Sequence, residues 1–353
     1  MRRLKVGIIG QGRSGYSIHV HILSLLNDRF EIVAVVDPLS DRRDEAEQKL
    51  GCKSFVDYRK MAATVDTDFV VNAAPSNQHV PITAELLANG TNVLCEKPLA
   101  RRVADVDKLI EVSQKNKVFL AVFQQSRFAP YFQKVREVIS WGKLGRIVMI
   151  KIAFNGFSRR WDWQTLQEFD GGNLLNTGPH PLDQALQLFG EDEEPTVFCL
   201  MDRAVTLGDA EDHVKLILSG KKSPTIDLEI SSCSAYPTNT YQVYGTRGGL
   251  DGSTSRIDWK YFDPENAPEQ RLNADPLPER AYCREDLPWE EDSWHLPEEE
   301  SNLFDVMGTR YYEDLYRYIT DGTPPEVTVR QVRRQIAVIE ESHRQNPLSR
   351  RSS

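Results

Sequence analysis

The sequence predicts an α/β protein in which a doubly wound parallel sheet is followed by an α+β part with a mostly antiparallel sheet. Three observations carry that expectation. Short β-branched runs alternate with longer amphipathic stretches through the first third of the chain; this is the rhythm of βαβ units, whose helices cover both faces of a parallel sheet. A glycine-rich turn, Gly10-Gln11-Gly12-Arg13-Ser14-Gly15, follows the first of those runs directly. Past Gln124 the rhythm changes to longer runs separated by Gly and Pro turns, which suits antiparallel strands.

In chain order, strands are expected at 4–9, 31–36, 69–73, 92–95 and 118–122, with helices over about 16–28, 40–50, 79–89 and 103–116 between them. A helix over about 130–140, a strand over 146–153 and a broken helix over about 171–189 come next, followed by several strands between about 195 and 262. Residues 263–300 are rich in Pro, Asp and Glu and read as an irregular surface loop with a role in assembly or in covering a site. Helices over about 302–320 and 328–343 close the chain. A length of 353 residues suits two domains. They are expected at 1–124 and at 125–353.

Composition excludes several classes. The 43 basic and 52 acidic residues give a net charge of −9, a poor footprint for nucleic acid, whose binders carry a basic stripe. The five cysteines form no CxxC pair and read as reduced thiols with no metal or disulfide role. In the opening MRRLKVGIIGQG, Gly7, Gly10 and Gln11 interrupt the apolar stretch that an export signal needs. No window approaches the roughly 20 apolar residues of a membrane span. A cytoplasmic protein without a membrane partner is expected.

The GxGxxG turn sits where a dinucleotide needs it. Gly10 permits the tight turn, and Gly12 lets backbone approach a pyrophosphate. Gly15 lets the next helix pack closely, with its N-terminal N–H groups toward the anion. The second strand ends in Asp37, 22 residues after Gly15. An acid there accepts hydrogen bonds from ribose hydroxyls and repels a 2′-phosphate, which favours NAD. Arg42 and Arg43 lie close behind and keep NADP as the alternative. Arg13 and Ser14 complete the loop around the cofactor.

Three further segments carry the chemistry. Glu96-Lys97-Pro98 follows the strand at 92–95, and residues beyond a strand's carboxyl end line the ligand crevice of such a sheet. That places Lys97 to meet the nicotinamide. Ala74, Pro75, Asn77 and His79 occupy another strand end on the same rim and are expected, with Glu96, to line the cofactor. In Gly171-Gly172-Asn173-Leu174-Leu175-Asn176-Thr177-Gly178-Pro179-His180-Pro181-Leu182-Asp183 the prolines forbid one continuous helix. A turn that breaks near Thr177 and restarts at Pro179 puts His180 at the positive end of the new helix. That position lowers the pKa of an imidazole, and a mostly neutral histidine suits proton transfer. Upstream, Ser158–Gln164 offers Arg160 and Trp163, residue types that hold a sugar, although the same stretch also reads as a packed loop.

Together, GxGxxG with Asp37, Glu96-Lys97-Pro98 and GGNLLNTGPHPLD resemble the Gfo/Idh/MocA oxidoreductase family over residues 4 to about 343. The resemblance implies a Rossmann domain, a C-terminal domain with a large open sheet that builds homodimers or homotetramers, and catalysis by Lys97 and His180. It further implies NAD(P)-dependent hydride transfer between nicotinamide and a secondary alcohol or ketone of a sugar, cyclitol or sugar derivative. A redox-assisted glycoside hydrolase or epimerase that retains NAD is one alternative, and a non-catalytic nucleotide sensor another. Asn176 stands where the family commonly has aspartate, and Gln125 where it has asparagine; Arg127 is retained. Asparagine orients a hydroxyl but cannot take its proton, so Lys97 becomes the proton-transfer group and Asn176 the orienting one. The substrate residues expected are Arg127, Arg160, Trp163, Asn176 and His180.

Overall fold

The computed structural model describes residues 2–277 and 282–349. Its first part alternates strand and helix: β1 (Leu4–Ile9), a π-helical turn (Arg13–Val20) running into α1 (His21–Leu25), β2 (Phe30–Val36), α2 (Ser40–Leu50), β3 (Lys53–Phe55), α3 (Tyr58–Thr64), β4 (Phe69–Asn72), α4 (His79–Ala88), β5 (Val93–Cys95), α5 (Val103–Asn116) and β6 (Leu120–Val122). The strands are all parallel, in the order β3-β2-β1-β4-β5-β6. This is the doubly wound order, whose switch point lies between β1 and β4. Nearly every residue of β1 and β4 is buried, because helices cover both faces; hence their unbroken apolar runs.

The second part opens with α6 (Pro130–Ser140), whose proline sits in the first turn where no N–H is needed. After β7 (Ile147–Asn155) come α7 (Asn173–Asn176), α8 (Pro179–Phe189), β8 (Thr196–Asp202), β9 (His213–Ser219), β10 (Thr225–Ser231), β11 (Tyr241–Gly245), β12 (Gly248–Gly252), β13 (Arg256–Phe262) and β14 (Trp289–His295). Eight strands form one sheet, β14-β13-β12-β11-β7-β10-β9-β8, antiparallel except where β10 meets β7. One face is apolar: Ile150, Ile152, Leu216, Leu228 and Ile230 are buried, on the side that α8 covers. The period of two puts Lys215, Asp227, Glu229 and Tyr244 on the other, open face.

Two helices close the chain, α9 (Leu303–Asp321) and α10 (Val329–Gln345). Thr328 and Gln331 form a reciprocal capping box at the start of α10. The helix α9 returns to the first sheet. Its Tyr311 hydroxyl donates to the Val122 carbonyl at 2.7 Å, and its Tyr312 ring packs edge-on against Phe30.

Three features differ from the sequence expectation. The helix over 16–28 begins instead as a wide π turn at Arg13. The short pair β3 and α3 carries no apolar run that would announce it. The 263–300 segment is not wholly irregular: β14 pairs with all of β13, from Arg256 opposite His295 to Phe262 opposite Trp289. Acidic residues disfavour strands in isolation, but ladder pairing and cross-strand contacts override that preference. Trp289 meets Phe262 at 5.8 Å and the Lys260 ammonium at 5.0 Å.

All five cysteines are free thiols. Among the described residues, no helix is long and apolar enough to cross a membrane, and no cluster of three or more His, Cys, Asp or Glu could hold a metal ion.

Candidate active site

The glycine turn links β1 to the π turn. Gly10 has φ +88°, and a Cβ there would lie 2.5 Å from the Ala73 carbonyl oxygen. A Cβ on Gly15 would collide with the Gly10 carbonyl, so helix and strand touch only because both residues lack side chains. Over Gly12 the space is open except for the tip of Arg42, 3.8 Å from where a Cβ would sit. The Gln11 side-chain oxygen is buried without a partner among the described residues. This open cradle beside an unsatisfied acceptor fits a dinucleotide, and the first domain is an NAD-binding Rossmann fold.

Asp37 is buried, and its carboxylate accepts from the Gln11 N–H at 2.8 Å and the Leu39 N–H at 2.9 Å. It therefore ties the glycine loop to the end of β2. The half-exposed Arg42 guanidinium reaches Asp37 Oδ2 at 3.3 Å and offsets the charge that would repel a 2′-phosphate. Arg42→Ala is expected to weaken NADP binding about tenfold, roughly 1.4 kcal/mol, while NAD binding changes less than threefold. Calorimetric titration of both nucleotides checks this; equal loss for the two would show that Arg42 acts elsewhere.

The ends of β4 and β5 form the adjoining rim. Asn77 donates to the Glu168 carbonyl at 3.2 Å, joining this rim to the loop before α7. His79 corrects the expectation of a cofactor contact. Its two ring nitrogens face the Pro98 carbonyl at 2.7 Å and the Ala74 carbonyl at 2.9 Å, so the buried imidazole clamps the two rim turns together from behind. Glu96 is also corrected. Its carboxylate is only 5% exposed and is taken up by His19 and the Lys97 N–H. The Lys97–Pro98 peptide is cis.

The amine of Lys97 donates to the Asn176 carbonyl at 2.7 Å. That carbonyl is free because α7 ends at Asn176 and α8 begins at Pro179, the break that the prolines impose. One turn on, His180 Nδ1 lies 3.2 Å from the Ser126 hydroxyl. Burial pushes the Lys97 pKa down, and the charges of Arg13 and Arg160 push it further, against the opposing pull of Glu96. Burial also pushes His180 down to about 3, with Lys97 adding to the effect. The pair is thus a lysine eased toward its neutral form beside an imidazole that is neutral at pH 7.

Arg127 is a further correction. Its guanidinium is completely buried and holds the Asp183 carboxylate through two bonds of 2.7 Å, with a third to the Glu326 carbonyl at 3.0 Å. It anchors α8 and does not present its charge to a substrate. Arg160 is gripped by Asp162 at 2.9 and 2.7 Å and by Gln164 at 2.6 Å. Trp163 is 40% exposed, with its ring against Phe169 at 6.0 Å. Sequence reasoning missed Ser126, which fixes the His180 ring, and His19, which meets Glu96. The only signal for Ser126 was its place just after a strand end. Gln125, on the same stretch, keeps a buried side-chain oxygen with no partner among the described residues.

A glycine cradle at a switch point, with a depressed lysine and a neutral histidine beyond adjoining strand ends, defines a nicotinamide-dependent oxidoreductase. The oxidoreductase family with an NAD-binding Rossmann fold matches residues 4–124, and the GFO/IDH/MocA C-terminal domain matches residues 132–251. The chain belongs to this family and is an NAD(P)-dependent dehydrogenase. It is 28% identical to the rhizopine catabolism protein MocA of Rhizobium meliloti, over 78% of this chain and 84% of that one. It is likewise 28% identical to the myo-inositol 2-dehydrogenase of Thermotoga maritima, over 70% and 74%. Its fold resembles the WlbA dehydrogenase of Bordetella pertussis, solved with NADH and UDP-GlcNAcA, with a TM-score of 0.77 at 22% identity over 98% and 95% of the two chains.

Proposed function

We propose that this dehydrogenase oxidises a secondary alcohol of a sugar, cyclitol or sugar derivative, or reduces the matching ketone. The observation that carries the reading is the Lys97 amine held at the Asn176 carbonyl, with neutral His180 one turn away. When bound, NAD supplies the hydride acceptor. Lys97 takes the hydroxyl proton in oxidation and returns it in reduction. His180, neutral and fixed through Nδ1 by Ser126, orients the same oxygen. The Asn176 carboxamide holds a neighbouring hydroxyl, and Arg160 and Trp163 border the pocket. Expected homology of substrate draws on the relatives named as inositol and rhizopine proteins.

The test is a titration with NAD and NADP, followed by a screen of cyclitols, pyranoses and their keto forms for change in the reduced-nicotinamide absorbance. Turnover of at least one polyol is expected. Tight binding with no turnover in either direction would favour a sensor, and NAD released only on denaturation would favour a retained-cofactor enzyme.

We also infer that copies of the chain join through the open face of the second sheet as a homodimer or homotetramer, in the cytoplasm, where the five free thiols stay reduced. Phe198 and Leu200 are each 55% exposed on that face, beside the Lys215–Asp227 ion pair. Sedimentation should find an oligomer that Phe198→Glu with Leu200→Glu dissociates; a monomeric wild type would refute it.

A further inference from the structure

A chain of buried polar groups runs behind the site and has no role in the chemistry just described. The Tyr312 hydroxyl of α9 lies 2.7 Å from His19 Nδ1, and His19 Nε2 lies 3.2 Å from Glu96 Oε1. The other carboxylate oxygen of Glu96 accepts the Lys97 N–H at 3.0 Å. Tyr312 and His19 are completely buried, and the His19 ring is held against Phe123 at 4.6 Å. Two elements distant in sequence thus meet beside the catalytic loop.

The chemistry of the partners fixes the direction of the chain. An ionised carboxylate only accepts, so His19 carries its proton on Nε2 and donates to Glu96. In the neutral ring Nδ1 then accepts from Tyr312; in the protonated ring it donates to the same hydroxyl. Both ring nitrogens are thus partnered, Nε2 by Glu96 and Nδ1 by Tyr312. Burial pushes the Glu96 carboxyl up, but the His19 hydrogen bond and the charges of His19, Lys97 and His79 outweigh it and hold it down at about 2. Glu96 is therefore a permanent buried anion, and a buried anion needs a positive partner.

While Lys97 is an ammonium, its charge contributes to that support although its amine is turned to the Asn176 carbonyl. When Lys97 is neutral, as a base must be, the His19 hydrogen bond becomes the chief support of the Glu96 carboxylate. We propose that His19, held by Tyr312, is a positioning residue that steadies Glu96 when Lys97 gives up its proton, and so sets how readily the lysine becomes a base. The inference rests on reading Lys97 as the proton-transfer group. The other groups facing Lys97 are Arg13 from the π turn, Arg160 from the loop after β7 and His180 from α8. The charges of Arg13 and Arg160 also favour neutral Lys97, so the variants below leave both in place.

The test follows the lysine itself and needs no substrate. Protein labelled with 13C at the lysine ε-carbon is titrated by NMR, with the Lys97 signal assigned by its loss in Lys97→Met. His19→Gln keeps a donor toward Glu96 but cannot carry charge. It is expected to raise the pH at which Lys97 titrates by about one unit, a tenfold smaller neutral fraction at a given pH, with the melting temperature nearly unchanged. His19→Leu is expected to raise it further, and Tyr312→Phe less. If Lys97 titrates as in wild type in His19→Gln and Tyr312→Phe, the proposal is overturned, and His19 is a packing residue only. Should His19→Leu fail to fold, those two variants still decide. A polyol screen without turnover would refute the proposed activity but leave this titration standing.

Discussion

Lys97→Met is expected to bind NAD within about threefold of wild type and to lose about 10²–10⁴-fold in turnover, the usual worth of a positioned general base. The methionine fills similar volume, so the glycine cradle and the rim turns stay in place. What disappears is a group whose pKa is lowered by burial and by Arg13 and Arg160. The pH dependence follows in sign. Oxidation needs neutral Lys97, so kcat/KM of the wild type rises as pH climbs through the folded-state pKa of the lysine, which lies below the ordinary lysine value. Reduction needs the ammonium and falls over the same range. No inflection from His180 is expected near neutrality, because that imidazole titrates at about 3. Steady-state rates across pH in both directions check this; a variant retaining a third of wild-type turnover would remove Lys97 from the role of base.

Asp183→Ala is the second large effect, and it is one of stability. Removing the carboxylate leaves the Arg127 guanidinium charged, completely buried and without the partner that takes two of its bonds. Stranding one member of a buried pair costs about 3–5 kcal/mol, which urea unfolding reads directly. The double variant Arg127→Leu with Asp183→Leu is expected to recover most of that loss, since no buried charge remains. Because the pair anchors α8 three residues beyond His180, the single variant is also expected to loosen the hydrogen bond between Ser126 and the imidazole. A loss below about 1 kcal/mol would mean that water reaches the site and solvates the arginine.

The parallel sheet and its glycine cradle were legible in the sequence because both are local. The strand over Leu4–Ile9 is an apolar run, and the helices Val103–Asn116 and Pro130–Ser140 announce themselves by amphipathic spacing. The edge strand at Trp289–His295 was not legible, since WEEDSWH becomes a strand only by pairing with Arg256–Phe262. The same division holds at the site. That Lys97, Asn176 and His180 lie at element ends follows from contiguous motifs. Which way a side chain turns at a strand end depends on partners far along the chain. Arg127 turns inward to Asp183, His79 to Pro98, and Glu96 to His19. No local pattern encodes those choices.

The most direct test of the central claim is a crystal structure of the protein with NADH and the best polyol from the screen. The reacting hydroxyl oxygen is expected within about 2.6–3.2 Å of Lys97 Nζ, with its carbon about 3–3.5 Å from nicotinamide C4 and His180 on the same oxygen. A polyol bound at C4 while Lys97 stays turned to the Asn176 carbonyl, out of reach of every hydroxyl, would contradict it.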